Sequence, residues 1–294
     1  MEHIPVLLTE VLAGLNLRSG LTVVDCTLGG GGHAAAIARS VGARGRVIAF
    51  DQDPCAREYA RQALTQNTNI ELIQENFCSL AGALAARQIN SADGFLFDLG
   101  VSSFQLDDPA RGFSWRQDCA LDMRMDPANP LTAAEIVNQY SQTALADIIY
   151  QYGEERQARR VARNICLARA KTQITSSGQL KAIILRSVSG SYAARTAAIS
   201  RVFQALRIAV NQELAILDAA LSAAAGLLRP GGRIAVISFH SLEDRIVKNT
   251  FRRLKTQGVL ELVAKKPLTA GAAERENNPR ARSAKLRLGA KNAG

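Results

Sequence analysis

The stretch Val24-Asp25-Cys26-Thr27-Leu28-Gly29-Gly30-Gly31-Gly32-His33 sets the architecture, because an apolar, β-rich run passes through four glycines into a helical segment. Glycines at such a junction let the backbone approach a ligand closely. Similar apolar runs recur at residues 46–53, 70–77 and 94–100, with helical segments between them. Strands and helices that alternate through short links predict an α/β fold with a mostly parallel sheet.

The alternation stops after the fourth predicted strand. Residues 101–200 are loop and helix, with one helix expected around 143–171. A long helix over 201–228 should then end at Arg229-Pro230-Gly231-Gly232, because proline and glycines terminate helices. A fifth strand at 233–239 and two more at 260–265 and 284–290 follow. The pattern predicts a discontinuous sheet domain, 1–111 with 204–294, interrupted by a helical domain at 112–203.

Acidic residues at strand ends bear on the cofactor. Gly29 and Gly31 fit a loose dinucleotide-binding pattern, and Asp51 lies twenty residues beyond Gly31, where such folds bind ribose. One hypothesis is therefore that the protein is an NAD-dependent oxidoreductase. Asp25 opposes it, since a carboxylate beside the glycine loop would repel a pyrophosphate. S-adenosylmethionine carries sulfonium and ammonium groups that Asp25 and Asp98 would attract, so we favour this cofactor.

The net charge of +10 is concentrated at one end of the chain. Residues 245–294 hold 13 basic and 3 acidic residues, whereas the preceding 244 residues are balanced. Clustered Lys and Arg gain free energy by displacing counterions from phosphates, which predicts an RNA or DNA partner. A solvated basic tail is the alternative.

Composition narrows the class of protein. The chain is 47% apolar and 21% charged, with no run of 18 uncharged apolar residues and no signal-like start, so we expect a cytoplasmic protein without a membrane partner. Its five cysteines include no C-x-x-C pair. They indicate reduced thiols rather than zinc, and no metal site is expected.

Motifs along nearly the whole chain resemble one family. They include Asp98-Leu99-Gly100-Val101-Ser102-Ser103, Tyr152-Gly153-Glu154-Glu155-Arg156 and Ser238-Phe239-His240-Ser241-Leu242-Glu243, and further matches lie at 3–11, 29–33, 111–114, 121–127, 203–208 and 278–283. These segments resemble the bacterial ribosomal RNA small-subunit methyltransferase H family. The resemblance implies a class I, Rossmann-like methyltransferase domain with an inserted substrate-recognition domain. It also implies methylation of N4 of a cytidine in the decoding region of small-subunit (16S) ribosomal RNA.

The resemblance assigns cofactor contacts residue by residue. For S-adenosylmethionine they are Gly31, Gly32, His33, Asp51, Phe77, Asp98 and Gln105, with His33 expected to act through its backbone. Two departures from the family pattern concern substrate docking. The chain has Ala197-Ala198-Ile199-Ser200-Arg201 where the family usually has His-Pro-Ala-Thr-Arg, and Phe104 where a proline is usual.

The predicted reaction depends on positioning, because the lone pair of an exocyclic amine is delocalised into the pyrimidine ring. An acceptor in the turn after the fourth strand would orient the amine, and Asp98 and Ser102 are the candidate catalytic residues. Covalent C5 methylation needs a cysteine nucleophile, and this turn contains none.

Substrate contacts are expected on two basic surfaces. Arg156 begins a series of arginines at helical spacing, with Arg159, Arg160 and Arg163. Arg280, Arg282 and Lys285 lie in the basic C-terminal region, where pairing of the two arginines with Glu274 or Glu276 is the structural alternative.

Several interpretations stay open. His240 is either a general base or a helix cap, and Phe113 and Trp115 are either core residues or base-stacking residues. The expected partner is small-subunit ribosomal RNA, within an assembled or assembling subunit, and the protein is a monomer or a homodimer. A non-catalytic RNA-binding ribosome factor is the alternative from another functional class.

Overall fold

A computed structural model describes residues 4–292, apart from the side chain of Ser103. His3, the first residue of the matching segment 3–11, lies outside this range. The described chain forms two compact units. The sheet unit combines Met1–Ser102 with Leu214–Gly294, and the helical unit is Ser103–Glu213.

The sheet unit is built on a seven-stranded sheet within the described residues, in the order β3-β2-β1-β4-β5-β7-β6. Strands β1 to β5 are parallel, and β7 is antiparallel to both β5 and β6. The predicted fold class is confirmed. The strands are β1 Thr22–Asp25, β2 Arg46–Phe50, β3 Ile70–Ile73, β4 Ala92–Asp98, β5 Leu228–Ser238, β6 Leu260–Leu262 and β7 Lys285–Lys291.

The helices of the described chain, in order, are α1 Leu8–Leu15, α2 Gly32–Val41, α3 Pro54–Ala63, α4 Leu80–Ala85, α5 Ser103–Asp107, α6 Ala133–Gln139, α7 Gln142–Gly153, α8 Ala158–Arg169, α9 Ser177–Ser187, α10 Tyr192–Asn211, α11 Glu213–Leu227, α12 Ser241–Thr256 and α13 Ala272–Asn277. No single helix among residues 4–292 is long and apolar enough to cross a membrane; only α10 and α11, taken as a bent pair, reach that length and composition.

Hydrophobic cores lie on both faces of the sheet. Phe95 and Phe97 of β4 point to the face covered by α4, α11 and α12, whereas Leu96 between them points to the face covered by α1, α2 and α3. Because successive side chains of a strand alternate between faces, a strand buried on both sides is a continuous apolar run. This is why the central strands could be recognised in the sequence.

Two predicted single helices are each broken in the structure. The helix expected over 143–171 is α7 and α8, separated at Glu154, and the helix expected over 201–228 is α10 and α11, separated at Gln212. Both residues adopt left-handed backbone conformations with φ of 51°. In the helical unit the end of α10 is fixed by Asn211, whose Oδ1 accepts the N–H of Met125 and whose Nδ2 donates to the Met123 carbonyl.

The structure divides the chain at other positions than the sequence analysis did. A boundary between 203 and 204 would cut α10, which runs unbroken to Asn211, and residues 103–111 group with the helical unit. Strand β5 begins at Leu228, earlier than predicted, because Leu228 pairs with Ala92 before the chain bulges and rejoins the ladder at Arg233. Phe77, expected in a strand, begins the 3₁₀ turn Phe77–Ser79.

Candidate active site

The loop from β1 to α2 is held in a fixed shape by backbone contacts. The Leu28 N–H donates to the Phe50 carbonyl and the Gly31 N–H donates to the Leu28 carbonyl, each at 2.8 Å. Gly31 precedes α2 with φ of +78°, and a Cβ there would lie 3.1 Å from Leu64 Cδ1. Glycine is required at this position. Gly32 is the first residue of α2, so the unpaired N–H groups of the helix start belong to the predicted cofactor loop.

Asp51 follows β2 and binds the glycine loop directly. Its Oδ2 accepts the Gly29 N–H at 2.8 Å, and its Oδ1 accepts the Asp53 N–H at 2.9 Å. A carboxylate oxygen can accept more than one hydrogen bond, so a contact with the loop is compatible with a contact with ribose hydroxyls. Asp51 therefore braces the loop as well as being the predicted ribose acceptor.

His33 joins the loop to the end of β4 through its side chain. The imidazole is buried, with 5% of the residue exposed, and its Nε2 lies 3.1 Å from the Val6 carbonyl. A carbonyl only accepts, so Nε2 carries a proton. Nδ1 faces Asp98 Oδ2 at 3.5 Å. Burial opposes a charge on His33, but the hydrogen bond and charge of Asp98, followed by the charge of Asp25, raise its pKa. The backbone role predicted for His33 omits this side-chain contact.

Asp98 ends β4 with its two carboxylate oxygens in different surroundings. Its N–H donates to Thr27 Oγ1 at 2.6 Å, and Oδ2 faces His33. Oδ1 is buried and has no hydrogen-bond partner among the described residues. A buried acceptor without a partner is costly, so Oδ1 is the atom of this site most in need of a donor.

Asp25 at the end of β1 is fully buried, and its attraction for the cofactor stays a prediction. Its Oδ1 accepts the Thr27 N–H at 3.1 Å, and Oδ2 has no partner within the described chain. Burial raises the pKa of Asp25 to about 6, although the charge of His33 lowers it. The charges of Asp25 and His33 act on each other.

The other predicted site residues fall into both units. Phe77 is half-buried and packs edge to face against Phe97 of β4, with ring centres 5.6 Å apart. A Cβ on Gly29 would lie 3.7 Å from Ser102 Cβ, which places Ser102 beside the glycine loop. Gln105 lies on α5 of the helical unit and is buried.

In the motif 152–156, Gly153 and Glu155 pack α7 against α10, whereas Arg156 is exposed. A Cβ on Gly153 would lie 2.6 Å from the Arg201 carbonyl, so α7 and α10 touch through backbone there. Glu155 is only 2% exposed and accepts from Nε and Nη2 of Arg201. Arg156 is exposed, as are Arg159, Arg160 and Arg163. The stretch 197–201, which departs from the family pattern, lies inside α10, and its last residue is the Arg201 that binds Glu155.

The C-terminal basic residues differ in their exposure and in their hydrogen bonds and ion pairs within the protein. Arg282 is exposed and donates from Nε to the Arg275 carbonyl at 3.3 Å, while Arg280 is half-buried in the 3₁₀ turn Pro279–Arg282. Lys285 lies 3.2 Å from Asp244, which also binds Arg287 at 2.7 Å. Lys285 is thus partly neutralised.

The contacts of three further residues bear on the roles that the sequence left open. His240 is the N-cap of α12 and forms a reciprocal capping box with Glu243, which confirms the cap interpretation. Phe113 is buried in the core, and Trp115 lies under the Lys181 ammonium at 5.1 Å from the ring centre. Within the described residues no group of three or more His, Cys, Asp or Glu could hold a metal ion.

Comparisons with known proteins identify the family. The model of the MraW methylase family matches residues 1–292. The ribosomal RNA small subunit methyltransferase H of Acidobacterium capsulatum is 48% identical, covering 99% of this chain and 98% of that protein. The protein of the same name from Deinococcus radiodurans is also 48% identical, covering 98% and 89%. Among solved structures, an rRNA methylase from Streptococcus thermophilus aligns at a TM-score of 0.44 and 14% identity, covering 99% of each chain. The family resemblance of the motifs is confirmed, and with it S-adenosylmethionine as cofactor: the chain belongs to the MraW methylase family.

Proposed function

We propose that this protein methylates N4 of a cytidine in the decoding region of small-subunit ribosomal RNA, within an assembled or assembling subunit. Membership of a methylase family excludes the oxidoreductase reading. Two relatives at 48% identity are named for small-subunit ribosomal RNA, and the +10 charge of residues 245–294 suits that polyanion. The observation that carries the chemical proposal is Asp98 at the end of β4, whose side chain is 20% exposed and whose Oδ1 has no hydrogen-bond partner among the described residues.

The residues present fit the cofactor. S-adenosylmethionine supplies an electrophilic methyl group on a positively charged sulfur. The backbone of Gly31, Gly32 and His33 would hold it beside the loop, and Asp51 would accept from its ribose. Phe77 and Gln105 complete the set that the family resemblance assigns. The unpartnered oxygen of Asp98 fits a ligand that brings a cation or an N–H donor, and it would repel a phosphate.

Asp98 is proposed to orient and deprotonate the amine. The N4 amine donates a hydrogen bond to Oδ1, which turns its lone pair outward and raises its electron density. When the amine becomes cationic, Oδ1 accepts its proton. His33 Nδ1 faces the other oxygen at 3.5 Å, so the imidazole fixes the orientation of the carboxylate. His33 is therefore a positioning residue, and Ser102 beside the glycine loop is the second candidate acceptor.

The state of the Cys26 thiol argues against covalent methylation of C5 of the cytosine. Cys26 adjoins Asp25 at the end of β1 and is buried. Burial, together with the charge of Asp25, raises the pKa of the Cys26 thiol well above its ordinary value. A thiol in that state is a poor nucleophile, because the thiolate is the reactive form. Amine methylation needs no such group.

The test is transfer of a labelled methyl group to small ribosomal subunits and to naked ribosomal RNA from a strain lacking the enzyme, followed by mass analysis of the nucleosides. We expect N4-methylcytidine at one decoding-region position, with subunits the better substrate. Label in 5-methylcytidine would overturn the proposed chemistry. Absence of transfer to either substrate, with RNA binding retained, would favour the non-catalytic ribosome factor.

A further inference from the structure

A cavity of about 260 Å³ lies in the sheet unit, away from the glycine loop. It is formed by α12, by the end of β6 with the segment that follows it, and by β7. Five of its lining residues are cationic: Lys248, Arg252, Lys265, Lys266 and Arg287. None of the proposed cofactor contacts contributes to it.

The cations around this cavity are largely uncompensated. Within the described chain, Lys248, Arg252, Lys265 and Lys266 have no carboxylate partner, and Arg287 shares Asp244 with Lys285. By contrast, the neighbouring cations of α12 that point elsewhere are paired, Arg253 with Asp218 and Lys255 with Glu261. Like charges gathered around one concavity raise its potential and attract an anion.

Apolar side chains also line the cavity. Phe251 and Leu288 are buried core residues, and Leu262 and Pro267 are half-buried beside them. A site for phosphate alone needs only cations and N–H donors. A lining that combines apolar side chains with cations suits a ligand that combines a phosphate with a ring or sugar, because the ring covers the apolar side chains while the phosphate pairs with the cations.

The register of the sheet relates the strand that ends at Asp98 to one of the strands that line the cavity. Asp98 pairs with Ile237 of β5, and Ile237 pairs with Leu286 of β7, the neighbour of Arg287. Adjacent strands are about 4.8 Å apart, so two strand spacings separate β4 and β7 by about 10 Å. The other walls of the cavity are α12, which covers the face that Phe97 points to, and β6, which lies one strand beyond β7.

We propose that this cavity binds a phosphorylated nucleotide of the RNA substrate other than the nucleotide that is methylated. The proposal rests on the proposed function, since the ligand is part of the same RNA. It assigns Lys248 and Arg252 on α12, and Lys265 and Lys266 after β6, to RNA binding. The predicted contacts Arg280, Arg282 and Lys285 do not line this cavity.

The test compares matched double variants of one helix. Lys248→Gln with Arg252→Gln removes two cations from the cavity, and Arg253→Gln with Lys255→Gln removes two paired cations of the same helix that do not line it. Binding of a decoding-region RNA fragment is measured against salt concentration. We expect the cavity variant to lower the slope of log K by about 1.4 to 1.8, from roughly 0.7 to 0.9 per lost phosphate contact. The control variant should keep the wild-type slope.

Lys265→Gln with Lys266→Gln is a second cavity variant on exposed residues, so its folding is not in question. It should lower the slope by a similar amount, while affinity for S-adenosylhomocysteine stays unchanged in every variant. Unchanged slopes in both cavity variants, or an equal loss in the control, would overturn the assignment while leaving the proposed function intact. A wild-type protein that neither binds nor methylates RNA would overturn both.

Competition separates a nucleotide from its phosphate. At matched ionic strength, cytidine 5′-monophosphate should displace the RNA from the wild type at lower concentration than inorganic phosphate does, and this advantage should shrink in the cavity variants only. Equal potency of the two competitors would refute a nucleotide site. Polyglutamate that competes better than an oligonucleotide of equal charge would assign the cavity to an acidic protein surface instead.

Discussion

Replacement of Asp25 by asparagine should flatten the dependence of stability on pH. An aspartate in the unfolded chain loses its proton near pH 3.8, whereas burial raises the pKa of Asp25 in the folded chain to about 6. Between these values the folded protein holds a proton that the unfolded chain has released. The free energy of unfolding therefore falls as the pH rises through this range.

The size of the effect follows from the shift. About two pKa units at 1.36 kcal/mol each correspond to a loss of about 3 kcal/mol between pH 4 and pH 7. Asparagine cannot titrate, so this loss disappears. His33 adds in the same direction. The pKa of His33 is raised in the folded chain, so His33 stabilises the fold below about pH 6.5, and this stability is lost as the pH rises through the pKa of His33 in the folded chain. In Asp25→Asn the charge of Asp25 is absent, which lowers the pKa of His33 in the folded chain.

Urea denaturation followed by far-ultraviolet circular dichroism, at half-unit steps from pH 4 to pH 8, measures the difference between wild type and variant. Asp218→Asn is the control. The Thr250 hydroxyl, together with Arg253, holds the pKa of Asp218 below its ordinary value, so its contribution is lost only at more acidic pH. The control should keep the wild-type slope above pH 4. If Asp25→Asn also keeps that slope, Asp25 does not titrate as the buried geometry requires.

Three further predictions concern binding and packing. Asp51→Ala should weaken S-adenosylhomocysteine binding by about 1.5 to 3 kcal/mol in calorimetric titration, because a charge-assisted hydrogen bond to ribose is lost; unchanged affinity in a folded variant would remove Asp51 from the site. Arg280→Ala with Arg282→Ala should lower the salt slope of RNA binding by about 1.4 to 1.8 without altering cofactor affinity. A lower melting temperature with an unaltered slope would make both arginines structural. Gly153→Ala should destabilise the helical unit by about 1 to 3 kcal/mol, since the new methyl group meets the Arg201 carbonyl; an unchanged urea midpoint would contradict the close helix contact.

The parallel part of the fold could be predicted from the sequence because its signals are local. Strands such as β4 are continuous apolar runs, and the glycines before α2 mark the turn that follows β1. The His240 cap could be anticipated because Glu243 stands three residues later, in the pattern of a capping box.

The helix breaks could not be predicted, because Glu154 and Gln212 are ordinary helix-forming residues. Glu154 takes a left-handed conformation where the chain turns Glu155 inward to meet Arg201, 46 positions away along the chain. A contact between residues so distant in sequence leaves no periodic signal. Tertiary packing overrides local propensity at such points.

The sequence predicted which positions form the site, but it did not predict the contacts between their side chains. His33 was expected to contact the cofactor through its backbone, and the structure adds that the Val6 carbonyl and Asp98 hold its side chain between them. Asp25 was expected to attract the cofactor, and the structure adds that it is fully buried and that its charge acts on the His33 imidazole. Both facts depend on which way a side chain points from its strand or helix, which the spacing of residues alone does not specify.

The most direct test of the account is the rate of a single methyl transfer to small subunits by Asp98→Ala, at saturating S-adenosylmethionine and saturating subunits. Loss of a general base costs about 10²- to 10⁴-fold, so we expect a rate at least about 100-fold below that of the wild type. Ser102→Ala, measured in parallel, should retain most of the wild-type rate if Asp98 is the acceptor. A wild-type rate for Asp98→Ala in a folded protein would contradict the central claim that Asp98 Oδ1 accepts the proton of the amine.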